Sequence, residues 1–209
     1  MALIRKRRSA PHARGLQKRR RMLDAARGLL ARRAVDAITL SDVARAAGVA
    51  SSSAYHFYAD IDELLVSLQA EVQRELVGVL QRPLRGRFKN WRDVIVAINR
   101  RGVRFYNHDA AARQLQIGPR TPPELKLRDR RSDAAIGRLY EQHIDSRFML
   151  PALPRRPAIF YRAVEIADLM FCLSLVDAGL ITAEMHAEAD RACTAYLGTY
   201  LPAVLPRRA

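Results

Sequence analysis

Cysteine is scarce in this sequence. Its 209 residues include only Cys172 and Cys193, too few for a disulfide scaffold. Tryptophan occurs once, and aromatic residues make up 7% of the chain. No apolar run approaches the roughly 18 residues of a membrane span. The basic start is not followed by an apolar stretch, which reads against a secretory signal. β-Branched residues are also few: Val, Ile and Thr together number 29, against 58 Ala and Leu. That balance disfavours a β-rich fold and predicts an all-α protein. Acidic residues are the last shortage, 21 against 36 Lys and Arg, for a net charge of +15. A chain of this length makes one or two domains with a packed core, and its charge calls for an anionic partner.

The excess charge is concentrated at the start. Residues 1–35 hold twelve Lys or Arg and one acid, Asp24, whereas the remaining 174 residues carry a net +4. A basic arm on a nearly balanced body is the charge layout of a nucleic-acid binder. A merely solubilising tail has the same composition. A membrane-surface arm lacks the large apolar residues needed for insertion.

The ten prolines leave long gaps in which helices can run. Met22, Leu23, Ala26, Leu29 and Leu30 form a helical stripe within 16–33, and Leu64, Leu65, Leu68, Val72, Leu76 and Val79 another within 62–81. Val94, Ile95, Ile98 and Phe105 share a face between Trp91 and Asn107. Pro122 and Pro123 suit the first turn of a helix reaching about Arg147. The last two helices are expected at 156–178 and 183–200, with Gly179 ending the first and Thr182 capping the second. Segment 157–178 is apolar nearly all round, so it is either a central core helix or one that also meets another subunit.

Residues 39–58 read TLSDVARAAGVASSSAYHFY. Thr39 is placed to cap a short helix, with Asp42 completing a capping box. Gly48 breaks that helix and can take positive φ. Val49 plugs the core, and 51–58 can form a second short helix. This is a helix-turn-helix pattern. The outward residues of the second helix, Ser51, Ser52, Ser53, Tyr55 and His56, are unbulky hydrogen-bonding groups suited to base edges and phosphates in a major groove.

With these residues in view, 18–68 resembles the N-terminal domain of the tetracycline-repressor (TetR) family of bacterial transcription regulators. The resemblance rests on Asp24-Ala25-Ala26, the capping Thr39, Val43-Ala44, Ala47-Gly48-Val49, Tyr55 with Tyr58, and Asp62-Glu63-Leu64. It implies an all-α fold of about nine helices, with a three-helix DNA-binding domain and a helical ligand-binding and dimerisation domain. The expected division is an arm at 1–15, the DNA-binding domain at 16–61 and the body at 62–209. The expected DNA contacts are Thr39, Ser41, Arg45, Ser51, Ser52, Ser53, Tyr55 and His56. Three positions depart from the family pattern: Ala50 where Ser or Thr caps the recognition helix, Ala54 where a larger aliphatic is usual, and Ile61 where a Lys commonly meets phosphate.

The resemblance also implies a cytoplasmic homodimer on a palindromic operator, most often a repressor released by a small-molecule inducer. Leu169, Cys172, Leu173 and Val176 on one side of segment 157–178, with Cys193, Tyr196 and Leu197 on the last helix, are expected at the dimer interface. Phe105, Tyr106, Tyr140, His143, Ile144, Met170 and Phe171 are candidates for an apolar inducer cavity with polar anchors, and any single one of them is better read as ordinary core. A DNA-binding module without an inducer is the alternative, and an all-α enzyme has no positive feature. The five histidines show no metal-ligand spacing, Cys172 has no basic neighbour to activate it, and no phosphate loop or nucleophile elbow occurs. No metal, cofactor or membrane partner is expected.

Overall fold

The computed structural model describes residues 9–208, among which nine α-helices and no β-strand occur. Part of the expected arm, residues 1–8, lies outside the described residues. The helices are α1 (Ser9–Leu30), α2 (Leu40–Ala46), α3 (Ser51–Phe57), α4 (Ile61–Gln81), α5 (Trp91–His108), α6 (Ala110–Ala112), α7 (Pro123–Asp145), α8 (Arg156–Ala178) and α9 (Ala183–Gly198). The chain divides into two compact units between Leu68 and Gln69, inside α4. The division expected after residue 61 falls at the start of the same helix.

α1 begins well before the expected residue 16 because nothing stops it. Pro11 sits in the first turn, where its missing N–H has no intrahelical partner to lose. In the first unit, Met22, Ala26 and Leu30 of α1 are buried with Val43 and Ala44 of α2, Ala54 of α3 and Leu64, Leu65 and Leu68 of α4. α1 packs on α2, and α2 on α3. Thr39 caps α2 as its sequence predicts: its Oγ1 accepts from Asp42 N–H (3.1 Å), and Asp42 Oδ2 accepts from Thr39 N–H (3.1 Å). Gly48 follows with φ 61°, the left-handed conformation that lets α3 turn back across α2. Tyr58 closes this small core, with the Arg19 guanidinium 5.0 Å above its ring.

The second unit is a packed set of long helices, α7 on α8, α8 on α9, and α5 against both α7 and α9. Asn90 caps α5 by accepting from Arg92 and Asp93 N–H (2.9 and 3.2 Å). Asp109 ends α5 and starts α6, which runs into a π turn at Arg113–Ile117. α7 and α8 approach closely at Gly137, where a Cβ would lie 2.8 Å from the Tyr161 backbone nitrogen. Two buried amides are tied into hydrogen bonds between helices. Gln69 Nε2 donates to the carbonyls of Leu115 and Leu125 (both 2.8 Å). Asn99 accepts from the Tyr140 hydroxyl and donates to Asp190 Oδ1 (2.7 Å). The segment after α9 is pinned down: Trp91 Nε1–H donates to Pro202 O (2.9 Å), and Met149 N–H to Pro206 O (2.8 Å).

Candidate functional site

Three surfaces carry the expected site residues. On the first unit, the apolar side of α3 is spent on Ala54, which is fully buried. The opposite side therefore faces solvent. Ser51, Ser52, Tyr55 and His56 are exposed there, and Ser53 is half-buried. The Tyr55 side chain is 55% exposed, an unusual position for an aromatic ring without a partner surface. Ser41 and Arg45 are exposed on α2. Arg45 pairs with Asp42, which also receives Arg33 (3.2 Å). Hydrogen bonds from Thr39 and Arg33 hold the Asp42 carboxyl below the usual carboxylate range. Thr39 is largely committed to its cap, since its hydroxyl also donates to Asp42 Oδ2 (2.9 Å).

Ala50 is the N-cap of α3 and makes no side-chain cap hydrogen bond. At the start of α4, Ile61 is half-buried. The acids around it serve the helix end: Asp60 Oδ1 accepts from Glu63 N–H (2.8 Å) and Glu63 Oε2 from Ala59 N–H (2.7 Å).

In the second unit, Tyr106, Tyr140 and Phe171 line a cavity together with Asn99, Asp168 and Ile98. Its volume is about 20 Å³, room for about one water molecule. The other inducer candidates do not line it. His143 is buried, with Nε2 2.7 Å from Leu80 O. A carbonyl only accepts, so this nitrogen carries the proton. Burial and the nearby Arg147 and Arg101 hold the imidazole below its ordinary pKa, against the opposing pull of the Leu80 carbonyl. Ile144 is fully buried, Phe105 and Met170 are half-buried, and Phe105 meets Tyr106 edge-on at 5.8 Å.

Beside the cavity lies a group that sequence reasoning missed. Asp129 and Asp133 of α7 and Asp168 of α8 are all buried, and each offers an oxygen within 4.8 Å of the others. Burial raises all three carboxyls above the usual range, and Asp168 pushes the other two further. Lys126 Nζ stands 3.7 Å from Asp129 Oδ2, while Arg130 is engaged by Glu165. Oδ2 of Asp129 and Oδ2 of Asp133 are buried without a hydrogen-bond partner. One signal was present in the sequence: Asp168 stands between Ala167 and Leu169 in the mostly apolar segment 166–176. Asp129 and Asp133 gave none, because they stand among basic residues as surface ion-pair partners do.

The expected dimer residues separate into three groups by exposure. Leu169, Leu173 and Val176 form an exposed row on α8, at 54%, 44% and 60% exposure. Cys172 and Tyr196 are half-buried. Cys193 and Leu197 are completely buried within their own unit. The Cys193 thiol donates to Ala163 O (3.0 Å), and burial pushes its pKa up to about 12. This stripe of α9 faces its own chain, where α9 packs on α8 and α5.

Residues 22–68 match the family model of bacterial regulatory proteins, tetR family. No curated protein matches the chain. Among solved structures, a TetR-family transcriptional regulator from Streptomyces coelicolor is similar at a TM-score of 0.67 and 20% identity, over 88% of this chain and 99% of that one. A TetR transcriptional regulator from Rhodococcus sp. RHA1 follows at 0.56 and 16%, over 87% and 96%. A TetR-family regulator from Pseudomonas syringae pv. tomato str. DC3000 gives 0.55 and 17%, over 89% and 98%. At these identities the likeness is one of fold.

Proposed function

We propose that this chain, which has the fold of TetR-family transcriptional regulators and their DNA-binding domain at residues 22–68, is an operator-binding regulator acting as a homodimer in the cytoplasm. No described helix is long and apolar enough to cross a membrane. One observation carries the reading. α3 buries its apolar side in a three-helix unit and turns Ser51, Ser52, Tyr55 and His56 to solvent, which is the polarity a helix needs in a major groove. Arg45 and Ser41 flank it as phosphate contacts. Two such heads in a symmetric dimer read a palindrome, and the exposed Leu169, Leu173 and Val176 row is the surface that would join the subunits. Repression, with release by a small molecule in the second unit, is the mode we assign, as a shift between operator-competent and incompetent states. No catalytic role is assigned to any residue.

Selection of bound sequences from random duplex DNA tests the reading, and an inverted repeat is the expected product. The folded double variant Tyr55→Phe, His56→Ala should then bind the selected duplex several-fold more weakly, because each lost hydrogen bond is worth on the order of 1 kcal/mol. Unchanged affinity would place the reading face elsewhere.

The cavity among the expected inducer residues, about 20 Å³, admits nothing larger than about a water molecule; this favours a second reading, a DNA-binding regulator without an inducer at that place, while an open cleft of about 580 Å³ lined by Arg82, Arg85, Arg100, Arg101 and Arg104 is the larger space in the second unit. Thermal-shift screening separates the two. An inducer must raise the melting temperature of the protein it binds, and a broad library without a hit would favour the inducer-free reading.

A further inference from the structure

We propose that Asp129, Asp133 and Asp168 together hold one divalent metal ion. The proposal goes beyond the regulatory reading and does not depend on it. Asp129 and Asp133 lie four residues apart on α7, so they share a helix face, and Asp168 approaches them from α8. The close passage of α7 and α8 at Gly137 is what lets three short side chains meet. Their oxygens lie within 4.8 Å of one another. Oxygen ligands sit roughly 2.0–2.6 Å from Mg²⁺, Mn²⁺ or Ca²⁺, so two ligands of one ion are at most about 5 Å apart. The observed spacing is inside that limit.

The second observation is that the cluster is incomplete without a cation. Asp133 is 2% exposed and its Oδ2 has no hydrogen-bond partner, while Asp129, 3% exposed, has only the Lys126 ammonium beside its Oδ2, at 3.7 Å. Buried polar atoms are normally satisfied, and a buried charge without a partner is costly. Burial holds these carboxyls above the usual range, so a bound cation would displace their protons. The ionised trio would then face the ammonium of Lys126, with Arg130 engaged by Glu165, and the two negative charges left over match valence two. The donors are all hard oxygens, which suit Mg²⁺, Mn²⁺ or Ca²⁺ over softer metals. The adjoining cavity, bordered by Asp168, is about 20 Å³, enough for about one water to complete the coordination and too small for an organic cation.

The test uses the full chain, stripped with EDTA and titrated with Mn²⁺ alone. Loss of the free-ion electron paramagnetic resonance signal counts the sites, and calorimetry gives the affinity. One site per chain is expected. Asp133→Asn and Asp168→Asn should each weaken it by about a hundredfold or more, while helical circular dichroism is retained. Lys126→Met removes the competing ammonium and should tighten binding by about tenfold, the order of change seen when groups around metal ligands are altered. Absence of Mn²⁺, Mg²⁺ or Ca²⁺ binding below about 1 mM, the weak end of specific protein sites, would overturn the proposal. So would Mn²⁺ binding that both Asp→Asn variants leave unchanged. If those variants fail to fold, Lys126→Met decides, and an unchanged affinity counts against the site.

Discussion

His143 shows how one buried side chain sets a pH response. Its ring is held neutral by burial and by two neighbouring arginines, so its pKa lies below the ordinary 6.5. A folded pKa below the unfolded one means that protonation favours unfolding. The stability this group contributes is fully present above pH 6.5 and is lost as pH falls through the folded pKa. The His143 resonance should therefore titrate with a midpoint below 6.5. The melting temperature should fall on acidification across that window, and less steeply in His143→Gln, which can still donate to the Leu80 carbonyl. At this scale the outward face of α3 was legible in the sequence, because Ala54 and Val49 mark the inward side and leave the serines, Tyr55 and His56 outward. The fate of single acids and of single apolar residues was not legible. Asp129 and Asp133 have the neighbours of surface residues, and periodicity alone does not say which partner the Cys193 and Leu197 stripe faces.

The helices themselves were readable from apolar spacing, proline gaps and caps, since these are local signals. The π turn after α6 and the pinned segment after α9 were not, because contacts distant in sequence hold them in place. Two element-level predictions follow from local geometry. Ala50→Ser should raise the melting temperature, because α3 has only seven residues and no side-chain cap at its start; a cap is worth about 0.5–2 kcal/mol. Gly137→Ala should lower it. The added methyl would meet the backbone of α8 at 2.8–3.0 Å, and two packed helices can relieve such a contact only by moving apart, at a cost of about 1–3 kcal/mol. Thermal unfolding of each variant checks both signs.

At the scale of the whole molecule, the proposed dimer turns on the exposed row of Leu169, Leu173 and Val176. Leu173 is exposed within its own chain, so Leu173→Glu should leave each subunit folded. A buried, unpaired carboxylate at a subunit interface costs several kcal/mol, so sedimentation should show the variant as a monomer where the parent chain is a dimer. A dimer that persists would place the interface on another surface. The single tryptophan lends such experiments a natural optical label. Trp91 is completely buried, lies beyond Leu68 in sequence and is anchored to the Pro202 carbonyl. Its fluorescence therefore reports on the second unit and is silent about the first, which has no tryptophan. Circular dichroism sees the helices of both. Superposing the two melting curves would reveal, with no engineered dye, whether the halves of this protein unfold together or in turn.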